Sequence, residues 1–335
     1  MPKVSVIIAV YNAERFLRRC METLLGQTYH DLQMIFVDDG STDESLRLIK
    51  ELAAADDRVS VVALPHNQGL PRARNAGLSL VEGDLVCTLD ADDWLSVDAI
   101  EQAVAVFLAH PATDCVLFRF VYVDEATHEE HEFPMAAFDV LTGHEAMRRT
   151  LLQWDGIHGI YMVRAAIHQR YPFDETTRVY SDENTSRLHF LASREVRQCS
   201  GIYYYRQHPT SLTHAAAMSY FDRLKANQSL LRQLQEEGVD EQTLTVLHDR
   251  CWLGVVDAYY YYWLHRREWQ SEERATALSK IRSAYAEVDA HRLSSLSRKF
   301  GYMPSFPLPW AHEKMSWRLF RCQEHIYFVL KKLFR

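Results

Sequence analysis

Two clusters of aspartate are the first residues in this sequence whose types and spacing could do chemistry. Asp38-Asp39 stands in VDDGSTDES at 37–45, and Asp90-Ala91-Asp92-Asp93 stands in LDADDW at 89–94. Each follows a short apolar run, and carboxylates at the end of a buried strand are costly unless something there uses their charge. A third polar group, Tyr11-Asn12-Ala13-Glu14, closes the run VSVIIAVY. Clustered carboxylates suit a hard divalent cation, Mg²⁺ or Mn²⁺, whose remaining positions take diphosphate oxygens. A nucleotide here would need such a cation. Neither GxGxxG nor GxxxxGK[ST] occurs in the chain, so no glycine loop can wrap the phosphates. The plainer alternative is capping: Asp92 and Asp93 precede a helix expected to begin near Val97, and Asp38-Asp39 precede a turn and a second helix.

The elements that must position these clusters follow from periodicity. VSVIIAVY (4–11) is a continuous apolar, β-branched run, as expected of a strand covered on both faces. Over 13–25, Phe16, Leu17, Cys20, Met21, Leu24 and Leu25 recur at helical spacing. A strand over 33–37 follows, then a helix over about 43–55 with Ser41 and Thr42 as candidate caps, and a strand over 59–63. A helix over 71–80 carries Pro71 near its first turn, and a strand over 85–89 comes next. This βαβαβαβ order implies a parallel sheet with right-handed crossovers and a ligand site beyond the carboxyl ends of its strands. All three polar clusters lie at such ends. Strands over 115–123 and 201–207 extend the region, and after about 215 the pattern is helical. GYMPSFPLPW (301–310), with three prolines, reads as a linker.

Composition limits the function classes. The chain has 335 residues, 47% hydrophobic and 24% charged, enough for one large or two modest domains. A net charge of -8 gives a nucleic-acid role no electrostatic support. The six cysteines contain no CxxC pair, which fits a reducing compartment better than a disulfide framework or a structural zinc. The apolar run at the N-terminus is too short for a secretory signal. WLGVVDAYYYYWL (252–264) contains Asp257 and is too short to span a bilayer. The expectation is a soluble, cytoplasmic protein, or one peripheral on the inner face of the membrane.

VSVIIAVYNAERFL, VDDGSTDES, HNQGLPRARNAGL and LDADDW, in this order and spacing, resemble the family 2 glycosyltransferases. The resemblance covers about the first 100 residues and extends more weakly to 214. It implies the A-type glycosyltransferase fold, α/β with a mostly parallel Rossmann-like sheet flanked by helices, followed here by a helical C-terminal extension. It also implies a metal-dependent, inverting hexosyltransferase. The donor would be a nucleotide-sugar, most often a UDP-sugar, and the acceptor a saccharide or lipid-linked saccharide, as in cell-surface polysaccharide or glycolipid synthesis. The implied division is a catalytic domain over 1–214, with a nucleotide-binding half (1–100) and an acceptor-binding half (101–214). A helical region (215–300) and a linker with a basic amphipathic helix (301–335) follow.

The resemblance carries over residue by residue. Val10, Tyr11, Asp38 and Asp39 would face the nucleotide base and ribose, with Asp39 favoured for the base N–H. Arg74, with Asn75 beside it in ARNAG, would reach the donor diphosphate or sugar. Asp90 and Asp92 match the metal motif, Asp92 making the direct contact and Asp93 orienting it or capping the next helix. In VYSDENTSRLHF (179–190), Ser181-Asp182-Glu183 stands where the family commonly has Glu-Asp, which makes Asp182 the general base and Glu183 the fallback. IYYYRQHPTSLTH (202–214) resembles the family's closing strand, so Arg206 and His208 would contact diphosphate or metal; equally, Arg206 pairs with a structural carboxylate. Trp154, in WDGIHGIY, is a sugar platform or a core residue.

Two alternatives stand beside the transferase. A sugar nucleotidyltransferase would need a glycine-rich loop where Tyr11-Asn12-Ala13 stands. A catalytically inactive sugar-nucleotide-binding protein is kept open by the irregular Ser-Asp-Glu. A NAD-type enzyme lacks its glycines. Donor sugar, acceptor and linkage have no readable code here.

At the C-terminus, Met315, Leu319, Cys322, Ile326, Val329, Leu330 and Leu333 share one helical face, flanked by Lys314, Arg318, Arg321, His325 and Lys332. Trp317, Phe320, Tyr327, Phe328 and Phe334 widen the apolar surface. Either this helix packs back on the catalytic domain or supplies a homodimer contact, or it leaves the body through the prolines and lies on an anionic membrane.

Overall fold

The continuous apolar runs become strands buried on both sides. The computed structural model describes residues 1–151, 154–180, 182–208, 218–295, 297 and 313–333. These fall into two compact units, Met1–Ala215 and Ala216–Arg335. In the first, β1 (Val4–Val10), β2 (Leu32–Asp38), β3 (Val59–Ala63) and β4 (Leu85–Asp90) alternate with α1 (Glu14–Leu25), α2 (Ser45–Ala55) and α3 (Leu70–Leu78). Val4, Val6, Ile8 and Val10 pack on one face with Leu17, Cys20 and Leu24 of α1. On the other face α3 lies so close that a Cβ at Gly77 would stand 2.6 Å from the Ile7 side chain, so this position admits only glycine.

The sheet continues with β5 (Trp94–Leu95), β6 (Thr113–Asp124), β7 (Glu130–Glu132), β8 (Leu141–Thr142), β9 (Tyr161–Arg164) and β10 (Glu195–Gln207). Its order is β3-β2-β1-β4-β9-β6-β10-β5, with β7 on β6 and β8 on β10. The pairings give the directions: β1–β4, β6 and β10 all run one way, and the short β5, β7, β8 and β9 run against them. The sheet is therefore mostly parallel, as expected, with antiparallel insertions that the periodicity does not reveal. Helices α4 (Ala99–Ala109), α5 (Gly143–Arg149), α6 (Ala165–Arg170) and α7 (Asp182–Ala192) complete the unit.

Two local expectations are corrected. The helix expected near Val97 is α4, which starts at Ala99 with Asp98 at its N-cap position but no side-chain cap, and β5 intervenes, so Asp92 and Asp93 do not cap it. Helix α2 begins behind Glu44 rather than Ser41 or Thr42, and these two turn to Asn12 instead.

In the second unit the described residues form α8 (Asp222–Glu236), α9 (Glu241–His265), α10 (Ser271–Ala286) and α11 (Glu313–Leu333), with two single 3₁₀ turns. Trp252, Tyr259, Tyr262, Trp263, Trp317, Phe320 and Phe328 build an aromatic core. The expected apolar face of α11 is not the one that packs. Trp317, Phe320 and Phe328 point inward, whereas Ile326, Val329 and Leu330 are exposed. The linker at 301–310 lies outside the described residues. No helix among the described residues is long and apolar enough to cross a membrane.

Candidate active site

Strands β2, β1 and β4 are neighbours, and their register brings three polar ends to one edge: Val10 pairs with Asp38 and Ala9 with Asp90. Without a glycine loop, the two turns beyond this edge stitch each other together. Asn12, at φ 48°, donates its N–H to Ser41 Oγ (3.0 Å) and accepts Thr42 N–H at Oδ1 (2.8 Å). Ala13 N–H donates to Ser45 Oγ and Glu14 N–H to Asp43 Oδ2, while Glu14 Oε2 accepts the N–H of Glu44. Two of the N–H groups at the start of α1, those of Ala13 and Glu14, are thus satisfied by the neighbouring turn, and α1 has no side-chain cap of its own. Tyr11, just beyond Val10, is left half exposed.

The two aspartates of VDDG have separate surroundings. Asp39 accepts Gln68 N–H (2.7 Å) and Gly69 N–H (2.9 Å), one on each oxygen, and so fixes the loop before α3. Asp38 accepts Ser41 N–H at Oδ2, and its buried Oδ1 has no partner. Gly40 follows at φ +72°, and a Cβ there would stand 2.6 Å from the His66 backbone, so the turn requires glycine. The free acceptor is on Asp38, not on the Asp39 favoured from sequence; each Asp39 oxygen keeps a second lone pair.

Beyond β4, Asp90-Ala91-Asp92-Asp93 is held by β10. Tyr203 accepts Asp90 N–H (3.1 Å) and donates its O–H to Asp93 Oδ2 (2.7 Å), while Asp93 Oδ1 accepts Arg206 N–H (2.8 Å). Burial first, then Asp92 and Asp90, push the Asp93 carboxyl well above the usual carboxylate range. Burial and Asp90 also raise Asp92. Its Oδ2 lies 3.0 Å from His208 Nε2, so these two candidate ligands do meet. Arg206 donates Nε–H to the Asp92 carbonyl and lies over the rings of Phe16 and Trp94, with Nη1 4.0 Å from Glu125. Among the described residues no three His, Cys, Asp or Glu side chains form a ready metal cage.

Asp90 faces elsewhere than expected. Its Oδ1 accepts from Arg74 Nη2 at 2.6 Å, and Arg74 Nη1 stands 3.7 Å from Asp182 Oδ2. Arg74 is buried; desolvation opposes its charge, yet Asp90 and Asp182 hold its pKa above the ordinary value. The guanidinium thus bridges two carboxylates instead of reaching out to a donor. Asn75 is also taken: both amide N–H groups donate, to the Phe173 carbonyl and Glu175, and Oδ1 accepts Phe173 N–H. Arg72 pairs with Glu175 at the surface.

Asp182 opens α7, two residues after Tyr180, whose φ of +72° is a strained conformation for a tyrosine. Burial raises its pKa against the pull of Arg74, with Glu183 and Asp90 adding to the rise. Glu183 is tied to Arg187 (2.9 Å), a fully buried arginine that also holds the Thr150 carbonyl and lies over Trp154. Trp154 accordingly packs against Arg187. Sequence reasoning missed Tyr203 and Phe16. Strand alternation in IYYYR sets Tyr203 and Tyr205 on one face and Tyr204 on the other, which does not single out Tyr203 as the one that reaches the β4 end, and Phe16 is apolar like the rest of its helix face.

The chain resembles known proteins over this whole region. The family model "Glycosyl transferase family 2" matches residues 5–172. EpsH of Bacillus subtilis (strain 168), named as a glycosyltransferase, is 28% identical over 263 residues, 74% of this chain and 75% of EpsH. The chondroitin synthase of Pasteurella multocida (strain Pm70) is 37% identical over 116 residues, 35% of this chain; the match spans only 12% of that larger protein. The crystal structure of S. aureus TarS 1-349 in complex with UDP-GlcNAc superposes with a TM-score of 0.72 at 17% identity, covering 97% of this chain and 91% of that one. At that identity the likeness is one of fold.

Proposed function

The chain belongs to glycosyl transferase family 2, and from that membership we propose that it transfers a sugar from a UDP-sugar to a saccharide hydroxyl with inversion at the anomeric carbon. The observation that carries the proposal is the Arg74 bridge, which joins the strand-end carboxylate Asp90 to Asp182, the first residue of α7. A carboxylate whose pKa burial raises against the pull of a buried guanidinium, beside the strand ends where a nucleotide would lie, is suited to general-base work. In this reading Asp182 takes the proton of the acceptor hydroxyl as its oxygen bonds to the anomeric carbon, and the bond from that carbon to the UDP oxygen breaks. Glu183, bound to Arg187, supports the helix instead.

On the donor side, Val10 and Tyr11 border the base, and the unpartnered Oδ1 of Asp38, with Asp39 beside it, accepts from the base or ribose. Asp92 and His208 would hold a divalent cation, Mn²⁺ or Mg²⁺. The fit rests on two adjoining donors, one of them a carboxyl whose charge is disfavoured by burial and by Asp90. When bound, the cation supplies positive charge for the diphosphate. Residues 1–100 serve the donor and 101–214 the acceptor. The named saccharide product of the chondroitin synthase relative supports a saccharide acceptor, and a lipid-linked saccharide at the inner face of the membrane is the acceptor we favour.

The test is transfer and donor hydrolysis across a panel of UDP-sugars with Mn²⁺. Asp182→Asn should bind UDP as the wild type does and turn over roughly a hundredfold more slowly or worse, the usual scale for a general base. Glu183→Gln should lose much less. If the two variants exchange behaviour, Glu183 is the base. Donor binding without turnover on any donor would make the chain a sugar-nucleotide-binding protein.

A further inference from the structure

Helix α11 has two apolar faces, and the second unit covers only one of them. At 100° per residue, Trp317, Phe320, Glu324 and Phe328 fall on one side, and all four are buried. Ile326, Val329 and Leu330 fall on the opposite side with exposures of 56%, 41% and 47%, and Cys322 beside them is exposed too. An amphipathic helix on a globular unit has a polar outer face. This outer face is aliphatic instead.

Its border is basic. Arg318, Arg321 and His325 project along one flank, where they line an open groove of about 340 Å³ with Tyr259, Cys322 and Ile326. Cys322 and Ile326 therefore belong to both the groove and the aliphatic stripe, so the cationic and apolar surfaces are continuous. The only acid from Trp317 to Lys331 is Glu324, and it is buried.

We propose that this face docks on an anionic phospholipid bilayer. The aliphatic stripe enters the boundary between headgroups and acyl chains, and Arg318, Arg321 and His325 take lipid phosphates in the groove. Charge selects this occupant over a second copy of the chain. A two-fold pairing through α11 would set the same arginines against each other with no exposed acid on that stretch of helix to answer them, whereas an anionic surface neutralises them. The inference does not depend on the transferase reading, since every residue in it lies in the second unit.

The experiment is flotation of the full chain with vesicles of equimolar phosphatidylglycerol and phosphatidylcholine, against vesicles of phosphatidylcholine alone. The wild type should float with the anionic vesicles only and be released as NaCl rises. Ile326→Glu combined with Leu330→Glu should weaken binding tenfold or more, and Arg318→Gln about fivefold, the worth of one basic residue at such a surface. Both glutamates replace exposed side chains, and an unchanged thermal melt verifies the fold; if the double variant melts early, Arg318→Gln and the salt dependence decide. Absence of flotation, equal flotation with neutral vesicles, or unaltered binding by the variants overturns the proposal. So does a wild-type dimer in sedimentation equilibrium that the double variant converts to monomer.

Discussion

Glu324 offers the most direct quantitative test of how α11 is seated. Its side chain is fully buried, neither oxygen has a hydrogen-bond partner, and burial pushes its carboxyl from 4.5 up to about 7. A carboxyl that ionises more readily in the unfolded chain loses stability as pH rises from the unfolded pKa to the folded one, and the loss is complete above the latter. With these two values the penalty is about 1 kcal/mol at pH 5 and about 3 kcal/mol at pH 8. Glu324→Gln has nearly the same shape as the protonated acid and the same lack of partners, but it cannot ionise. It should therefore match the wild type to within about 1 kcal/mol at pH 5 and exceed it by about 3 kcal/mol at pH 8. Urea unfolding followed by tryptophan emission is the assay, because Trp252, Trp263 and Trp317 lie in the same aromatic core. Wild type and variant whose difference is constant from pH 5 to pH 8, or a glutamine variant less stable at pH 8, would refute the reasoning.

The remaining predictions concern the first unit. Asp92→Asn should abolish the Mn²⁺-dependent part of UDP binding in calorimetry without lowering the melting temperature, because it removes one of the two adjoining donors; an unchanged metal response sinks the assignment. His158 and His168 are pushed down to about 4 by burial, and His189 lies well below its ordinary value for the same reason. The unfolded chain takes up these protons near pH 6.5 and the folded one does not, so stability should fall as pH drops, by about 3 kcal/mol between pH 6.5 and 5 for His158 and His168 together, with His189 acting in the same direction. His158→Gln should lessen that fall by about 1.5 kcal/mol over the same range in denaturation curves; an unaltered slope would show that this ring is not neutral in the fold.

The first half of the fold was legible because each of its strands carries its own signal. β1, β2, β3 and β4 lie within a residue or so of where the apolar runs put them, since a strand covered on both faces must be apolar throughout. β9 was not legible: four residues become a strand only because β4 and β6 stand on either side of them. Residue types pointed to the strand ends that the sheet gathers at one edge, but not to the partners each side chain finds there. Nothing local distinguishes Arg74, buried between two acids, from Arg72, two residues and about 200° of helix away, which pairs with a surface glutamate. In α11, helical spacing picked out the aliphatic stripe correctly as one face, but periodicity cannot say which of two apolar faces meets the core. Aromatic volume decided that, filling the space against Trp252, Tyr259 and Trp263.

Arg74 also explains why the end of β4 and the start of α7 need each other. Asp90 ends a strand whose neighbours are β1 and β9, and Asp182 begins a helix that follows a strained tyrosine; neither element by itself would hold an ionised acid in a half-buried place. Two such carboxylates raise each other's pKa, and a lone buried guanidinium costs several kcal/mol. Put together, the single positive charge answers both negative ones, and the hydrogen bond to Asp90 fixes where that charge sits relative to Asp182. The guanidinium of Arg74 is therefore the electrostatic tie between the end of β4 and the start of α7.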